Sequence, residues 1–172
     1  KGLTTWVDAF IELSKRKSVP GLKLRVGGAK TKVDETYVRD LKAKLDAAGC
    51  GKNVEFLPNL TFEEKTKFFR ELSVFSVPAT YGEAFGLYVL EAMASRVPVV
   101  QPRHGAFPEL IGMTGGGVLC EPDDVMSLAD GLEALILDGA RRDQLASAGR
   151  AGVRDHFTPS RMAEAFEKVI LG

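Results

Sequence analysis

Leu3, Trp6, Val7, Phe10 and Ile11 recur at helical spacing and give way to the basic run Lys15-Arg16-Lys17, where cations suit a helix C-terminus. Leu22 to Val26 then alternates like a strand and runs into Gly27-Gly28-Ala29, read as a turn in which backbone can approach a ligand. Tyr37, Val38, Leu41 and Leu45 form a second helical stripe that Gly49 closes. Val54 to Leu57 predicts the next strand, and Thr61 and Glu64 have the spacing of a capping box for the helix after it. Ser73 to Val77 predicts a third strand, followed by a helix from about Gly86 to Ser95. The apolar runs Val97 to Val100 and Gly117 to Cys120 read as strands buried on both faces. Three helices close the chain: one opened by Pro122-Asp123-Asp124 and running through Leu137, one from Ala140 to His156 and one from Ser160 to Leu171.

Strands separated by helices at this interval predict an α/β fold with a doubly wound, Rossmann-like parallel sheet. In such folds ligands sit at the C-terminal ends of strands, so the loops after Val26, Leu57, Val77 and Val100 are expected to share one rim. The 172 residues suit one domain, with no internal repeat or linker. Basic and acidic residues balance at 23 each, which gives no reason to expect nucleic acid or an anionic membrane as partner. Any anion must therefore be held locally. Cys50 and Cys120 stand in unrelated contexts, without metal-ligand spacing, and fit a reduced, cytoplasmic setting as structural residues. No run of about 18 apolar residues suggests a transmembrane segment. The chain opens on Lys1 rather than methionine, as a piece of a longer product would.

The chemistry concentrates between Pro78 and Ala94, which run from a strand end through a loop into a helix. Glycines around Phe85 let the backbone come close, and the free N–H groups of Gly86, Leu87 and Tyr88 at the helix start can receive phosphate oxygens. Glu83 precedes that start. Glu91 lies about 6–8 Å along the axis from it, a fitting reach to a ribose. Glu91 is flanked by Leu90, Ala92 and Met93 in an otherwise uncharged helix, and so needs a partner.

Glu83 and Glu91 also form a Glu-x7-Glu motif, and Glu83-Ala84-Phe85-Gly86-Leu87 resembles the EGFGL signature of glycosyltransferase family 4, also called group 1. Lys1-Gly2, Val26-Gly27-Gly28, Val54 to Leu57, Val97 to Val100, Gly105 to Glu109 and Gly117 to Leu119 match further family stretches in the right order. The resemblance implies the C-terminal half of a GT-B fold, in which two Rossmann-like domains face a cleft. Residues 1–172 would be a single nucleotide-sugar-binding domain, with the family's first strand and N-terminal acceptor domain absent. It implies a retaining transfer in which Glu83 is the catalytic carboxylate against the donor sugar. Phe85, Gly86 and Leu87 would offer N–H groups to sugar and diphosphate, Glu91 would hold the ribose diol and Lys1 the diphosphate. Gly27 would line the diphosphate pocket, and the backbone of Phe56 and Leu57 would face the base. No metal or other cofactor is implied, since the departing diphosphate would be neutralised by Lys1, an arginine upstream and a helix N-terminus. Without the acceptor domain the chain is expected to bind a donor and not to complete the transfer. The alternative is a noncatalytic nucleotide-sugar-binding or protein-interaction module.

Ala29 and Ala106 stand where the family often has glycine, and Tyr88 where proline is common. Arg103 and His104, in the loop before Gly105, read equally as donor-phosphate contacts or as a solvated pair. His156 reads as a helix-end residue, and Tyr81 and Tyr88 as packing aromatics rather than sugar platforms.

Overall fold

The structure is a computed structural model that describes residues 1–171. α1 (Leu3–Arg16) turns Val7, Ala9, Phe10 and Leu13 inward and ends on Lys15 and Arg16. α2 (Glu35–Ala47) contributes Leu41 and Leu45 to the same core, and Gly49 beyond its end takes φ 74°. α3 (Phe62–Arg70) starts on the expected capping box: the Thr61 hydroxyl accepts from the Glu64 N–H, and the Glu64 carboxylate accepts from the Thr61 N–H.

The strands are β1 (Leu24–Gly28), β2 (Val54–Pro58), β3 (Val99–Pro102) and β4 (Gly117–Cys120), paired in parallel as β1 with β2 and β3 with β4. β3 shows why the fold is wound on both sides. Val99 packs into a cluster with Val89, Met93, Phe107 and Leu110, whereas its neighbour Val100 packs with Leu13, Leu128 and Leu132. Consecutive strand residues point to opposite faces, so both faces of this sheet are covered by helices. The helices are α4 (Leu87–Ala94), α5 (Phe107–Thr114), α6 (Val125–Leu137), α7 (Gly139–His156) and α8 (Pro159–Leu171). Burying a side chain such as Leu132, 1 % exposed, stabilises the fold by about 1.5–3 kcal/mol. α7 comes close to α4 and α5 because Gly149 and Gly152 carry no Cβ where Gly116, Met93 and Thr114 press in.

Three local expectations are corrected. Gly27 and Gly28 end β1, paired with Leu57 and Pro58, instead of forming a turn. The strand expected at Val97–Val100 lies at Val99–Pro102. Segment 73–77 is not a full strand: its only ladder contact is a bridge from Phe75 to Val99. Side chains take over three of its other backbone groups. The Trp6 indole donates to the Ser76 carbonyl at 2.9 Å, and the fully buried Gln101 amide pairs with the Val77 carbonyl at 2.8 Å and N–H at 3.3 Å. α5 carries no periodic stripe that announced it; Pro108 in its first turn and Gly115 at its C-cap, φ 64°, delimit it.

The two strand pairs are therefore separate. Between the edge of β1 and segment 73–77 runs a groove of about 1210 Å³, floored by Trp6, Leu13, Leu132 and Ile136.

Candidate functional site

The loop ahead of α4 is shaped by close backbone contacts. Gly86 is the N-cap of α4 with φ 80°, a left-handed conformation that glycine adopts without strain. The first helix bond runs from the Val89 N–H to the Gly86 carbonyl, so the N–H groups of Leu87 and Tyr88 have no helical acceptor. Phe85 and Leu87 are half exposed beside them. From behind, the Ala106 N–H donates to the Glu83 carbonyl at 2.8 Å. At Gly105, φ 56°, an added Cβ would lie 2.6 Å from the Glu83 backbone. Gly2 packs in the same way on the Pro78 carbonyl, which brings Lys1 to the loop.

There the Lys1 ammonium donates to Glu83 Oε2 at 3.0 Å, and the Tyr88 hydroxyl donates to the same oxygen at 2.8 Å. The Glu83 side chain is only 13 % exposed. The hydrogen bond from Lys1, then that from Tyr88, hold its carboxyl down to about 2, well below the usual carboxylate range. The pairing in turn raises Lys1, while burial and the adjacent carboxylate push the Tyr88 hydroxyl far up. Both shifts favour an ionised Glu83 with the Tyr88 hydroxyl as donor to it. Lys1 also sits over the Tyr88 ring, 5.1 Å from its centroid, and over Tyr81 at 5.8 Å. Tyr88 thus packs, edge-on to Phe75 and Phe107 at 6.4 Å each, and also serves the carboxylate, a role its apolar helical context did not reveal.

Glu91, one helical turn after Leu87, meets the partner it needs in Lys65 of α3, whose ammonium donates to Oε1 at 2.6 Å. Lys1, Gly27, Phe56, Leu57, Tyr88 and Glu91 all line the groove; of the four loops expected to share one rim, those after Val26 and Leu57 supply it, and those after Val77 and Val100 do not. Glu83, Phe85, Gly86 and Leu87 do not line it; they flank its mouth through Lys1 and Tyr88.

Arg103 reaches outward to Glu121 at 3.7 Å, both side chains exposed. His104 stacks on Phe107 with centroids 6.2 Å apart, and its Nε2 is buried without a hydrogen-bond partner among the described residues. His156 ends α7, edge-on to Phe157. Cys50 and Cys120 are free and buried, and burial pushes the Cys120 thiol up to about 11. Among the described residues no three His, Cys, Asp or Glu side chains cluster as metal ligands do, and no helix is long and apolar enough to cross a membrane.

Lys65 carries a part of this arrangement that the sequence did not mark, and the bracing role of Gly2 and Gly105, marked there only as members of family stretches, was not legible either. The glycines matter only because of what packs on them, and Lys65 looks like any solvated helix lysine until α3 and α4 are juxtaposed.

Comparison with known proteins gives the chain's relatives. The family described as "Glycosyl transferases group 1" matches residues 1–152. A lipopolysaccharide core biosynthesis mannosyltransferase of Rhizobium meliloti (strain 1021) is 31 % identical over 173 residues, covering 98 % of this chain and 47 % of that protein. Human alpha-1,3/1,6-mannosyltransferase ALG2 is 27 % identical, covering 99 % and 42 %. The chain thus spans about half the length of these curated relatives. The crystal structure of the C-terminal domain of a group 1 family glycosyl transferase from Francisella tularensis superimposes with a TM-score of 0.82 at 31 % identity, covering 92 % of this chain and 80 % of that one. An Anabaena protein solved with UDP and glucose shares the fold, with a TM-score of 0.84 at 23 % identity over 98 % of this chain and 45 % of its own.

Proposed function

The chain belongs to the group 1 glycosyl transferases, and on that premise we propose that it is the donor-binding half of a retaining, family 4 enzyme that moves a sugar from a nucleotide-sugar to an acceptor. The observation that carries the proposal is the placement of two carboxylates about one groove. Glu83 is held ionised at its mouth by Lys1 and Tyr88, and Glu91 lies in its wall beside Gly27 and the Phe56–Leu57 backbone.

In this proposal the diphosphate lies at the start of α4, where the N–H groups of Leu87 and Tyr88 and the Lys1 ammonium offer positive charge. As the glycosidic bond to the diphosphate lengthens, the sugar becomes oxocarbenium-like and negative charge builds on the departing phosphate. Lys1 stabilises the phosphate, and the ionised Glu83 faces the sugar hydroxyls and the growing positive charge. The departing phosphate takes the acceptor's proton, so no side-chain base is assigned. Lys1 and Glu83 neutralise each other in the structure and would exchange that bond for ligand contacts on opposite sides. Lys1 and the N–H groups of the helix start make a divalent ion unnecessary to the proposal. The ribose falls to Glu91 and the base to the strand ends of β1 and β2. Two free, buried cysteines fit a reducing compartment and with it a cytoplasmic site of action.

The two-domain organisation belongs to the same proposal. The groove is flanked by the edge of β1 on one side and by segment 73–77 on the other, so its floor has the form of a place for one more parallel strand, which would leave the donor to the rim where Gly27, Leu57, Lys65 and Glu91 stand. A strand leading into Lys1 would join β1 through α1, a right-handed βαβ unit. Relatives about twice as long have room for that strand and for an acceptor-binding domain. Residues 1–172 alone would bind donor and leave it untransferred.

A thermal-shift panel of UDP-, GDP- and ADP-sugars on the full-length protein tests the proposal, because a ligand that binds only the folded state raises its stability. At least one nucleotide is expected to raise the melting temperature. Silence across all three, at ligand concentrations well above a typical Kd, would sink the donor-site assignment.

A further inference from the structure

Lys65 stands at the fourth position of α3, a helix whose start is fixed by the reciprocal Thr61 and Glu64 bonds. Its neighbours have other partners: the Glu64 carboxylate is bound to the Thr61 N–H at 2.8 Å, and Lys67 lies 3.9 Å from Glu71. Glu91 is the one acidic residue of α4, and the ammonium of Lys65 reaches it across 26 residues of sequence. Both residues line the groove, with side chains 38 % and 29 % exposed. The pair is therefore open on the groove side.

A carboxylate gripping a diol by itself uses one oxygen for each hydroxyl. In this protein Oε1 is engaged by Lys65 at 2.6 Å, while Oε2 has no hydrogen-bond donor among the described residues. Freeing Oε1 would separate a part-buried carboxylate from its cation before either hydroxyl is bound. Keeping the pair costs nothing in bonding capacity. An ammonium has three donors and spends one on Glu91; a hydroxyl both donates and accepts. A diol laid across the pair can donate from one hydroxyl to Oε2 and accept at the other from Nζ.

We infer that Lys65 is a second ribose-binding group, whose ammonium donates to one hydroxyl of the diol while Glu91 Oε2 accepts from the other. The inference rests on the nucleotide-sugar assignment of the groove. It makes ribose recognition in this protein a matched donor and acceptor instead of a lone carboxylate, and it adds a second cation, beside Lys1 and the helix start, on the side of a polyanionic ligand.

Calorimetry on the full-length protein tests it with UDP, GDP and ADP and with their 2′-deoxy and 3′-deoxy forms. Lys65→Met is expected to weaken binding of the ribonucleotides by about tenfold, the scale of one charge-assisted hydrogen bond. It should also abolish the preference over one of the two deoxy forms, because the missing hydroxyl has already lost its donor. Glu91→Gln should instead reduce the preference over the other. Lys65→Arg, which keeps a cationic donor, should restore the affinity to within about threefold. If Glu91→Gln weakens binding while Lys65→Met leaves affinity and both deoxy preferences intact, Lys65 is only a surface ion-pair partner and the inference falls with the donor site still standing. Tighter binding by Lys65→Met would show a competitor instead of a ligand group and overturn it equally. Absence of nucleotide binding by the unaltered protein would remove the assignment of the groove and the inference together.

Discussion

Lys1 and Glu83, 82 residues apart in sequence, meet at 3.0 Å in an ion pair that the Tyr88 hydroxyl completes. The first residue of the chain is thereby tied to the loop that opens α4. Gly2, packed on the Pro78 carbonyl, sets the angle at which it arrives.

The pair makes stability depend on acid. The Glu83 carboxyl is lowered from an ordinary 4.5 to about 2 in the fold. A depressed folded value contributes stability that is fully present above the unfolded value and lost as pH falls towards the folded one. Denaturant melts of the unaltered protein and of Glu83→Gln should therefore differ by a constant amount above about pH 5 and converge between about 4.5 and 2. A gap that stays constant down to pH 2 would mean that the carboxylate is not held as described.

For catalysis, Glu83 has a different job from Glu91, since it faces the sugar where positive charge develops. A contact that strengthens towards the transition state lowers the barrier more than it improves ground-state binding. In the full-length enzyme Glu83→Gln is expected to lower kcat by a factor on the order of ten to a thousand. Affinity for the bare nucleoside diphosphate, which lacks the sugar, should hardly move. Equal weakening of diphosphate and nucleotide-sugar with kcat intact would reduce Glu83 to a structural partner of Lys1.

Glu91→Gln should weaken nucleotide-sugars and bare nucleoside diphosphates alike, because the ribose is common to both. Each charge-assisted bond to a hydroxyl is worth about 1.5–3 kcal/mol, so the loss is readable by calorimetry. Unchanged affinities would remove Glu91 from the site.

Gly105→Ala puts a methyl group into the Glu83 backbone at a φ of 56°, where only glycine is unstrained. The strain should cost about 1–3 kcal/mol of stability. Relaxing it should displace the Glu83 loop and lower kcat as well. Gly112→Ala is the matched control: this helical glycine is exposed, has open space at Cβ and should gain about 0.5–1 kcal/mol from helix propensity. Equal stabilities for the two variants would show that Gly105 does not brace the loop.

The capping box of α3, the alternating core face of α1, the β-branched run around Val99 and the glycine that opens α4 were legible in the sequence because each is a local preference. Periodicity and cap chemistry act within a few residues and need no knowledge of the rest of the chain. The Glu83 and Glu91 pair was legible from the same short stretch, since α4 carries Glu91 a fixed distance from the helix start that Glu83 precedes. Which cation meets which carboxylate was not, and neither was the reduction of segment 73–77 to a single bridge. Those outcomes were decided by tertiary structure: Lys1 reaches Glu83 only where Gly2 lets α1 press on Pro78, Lys65 reaches Glu91 only where α3 lies along α4, and Trp6 and Gln101 take the backbone groups of Ser76 and Val77 only where α1 and β3 flank them. A side chain's partner depends on where distant backbone is brought, and spacing along the chain carries no record of that distance.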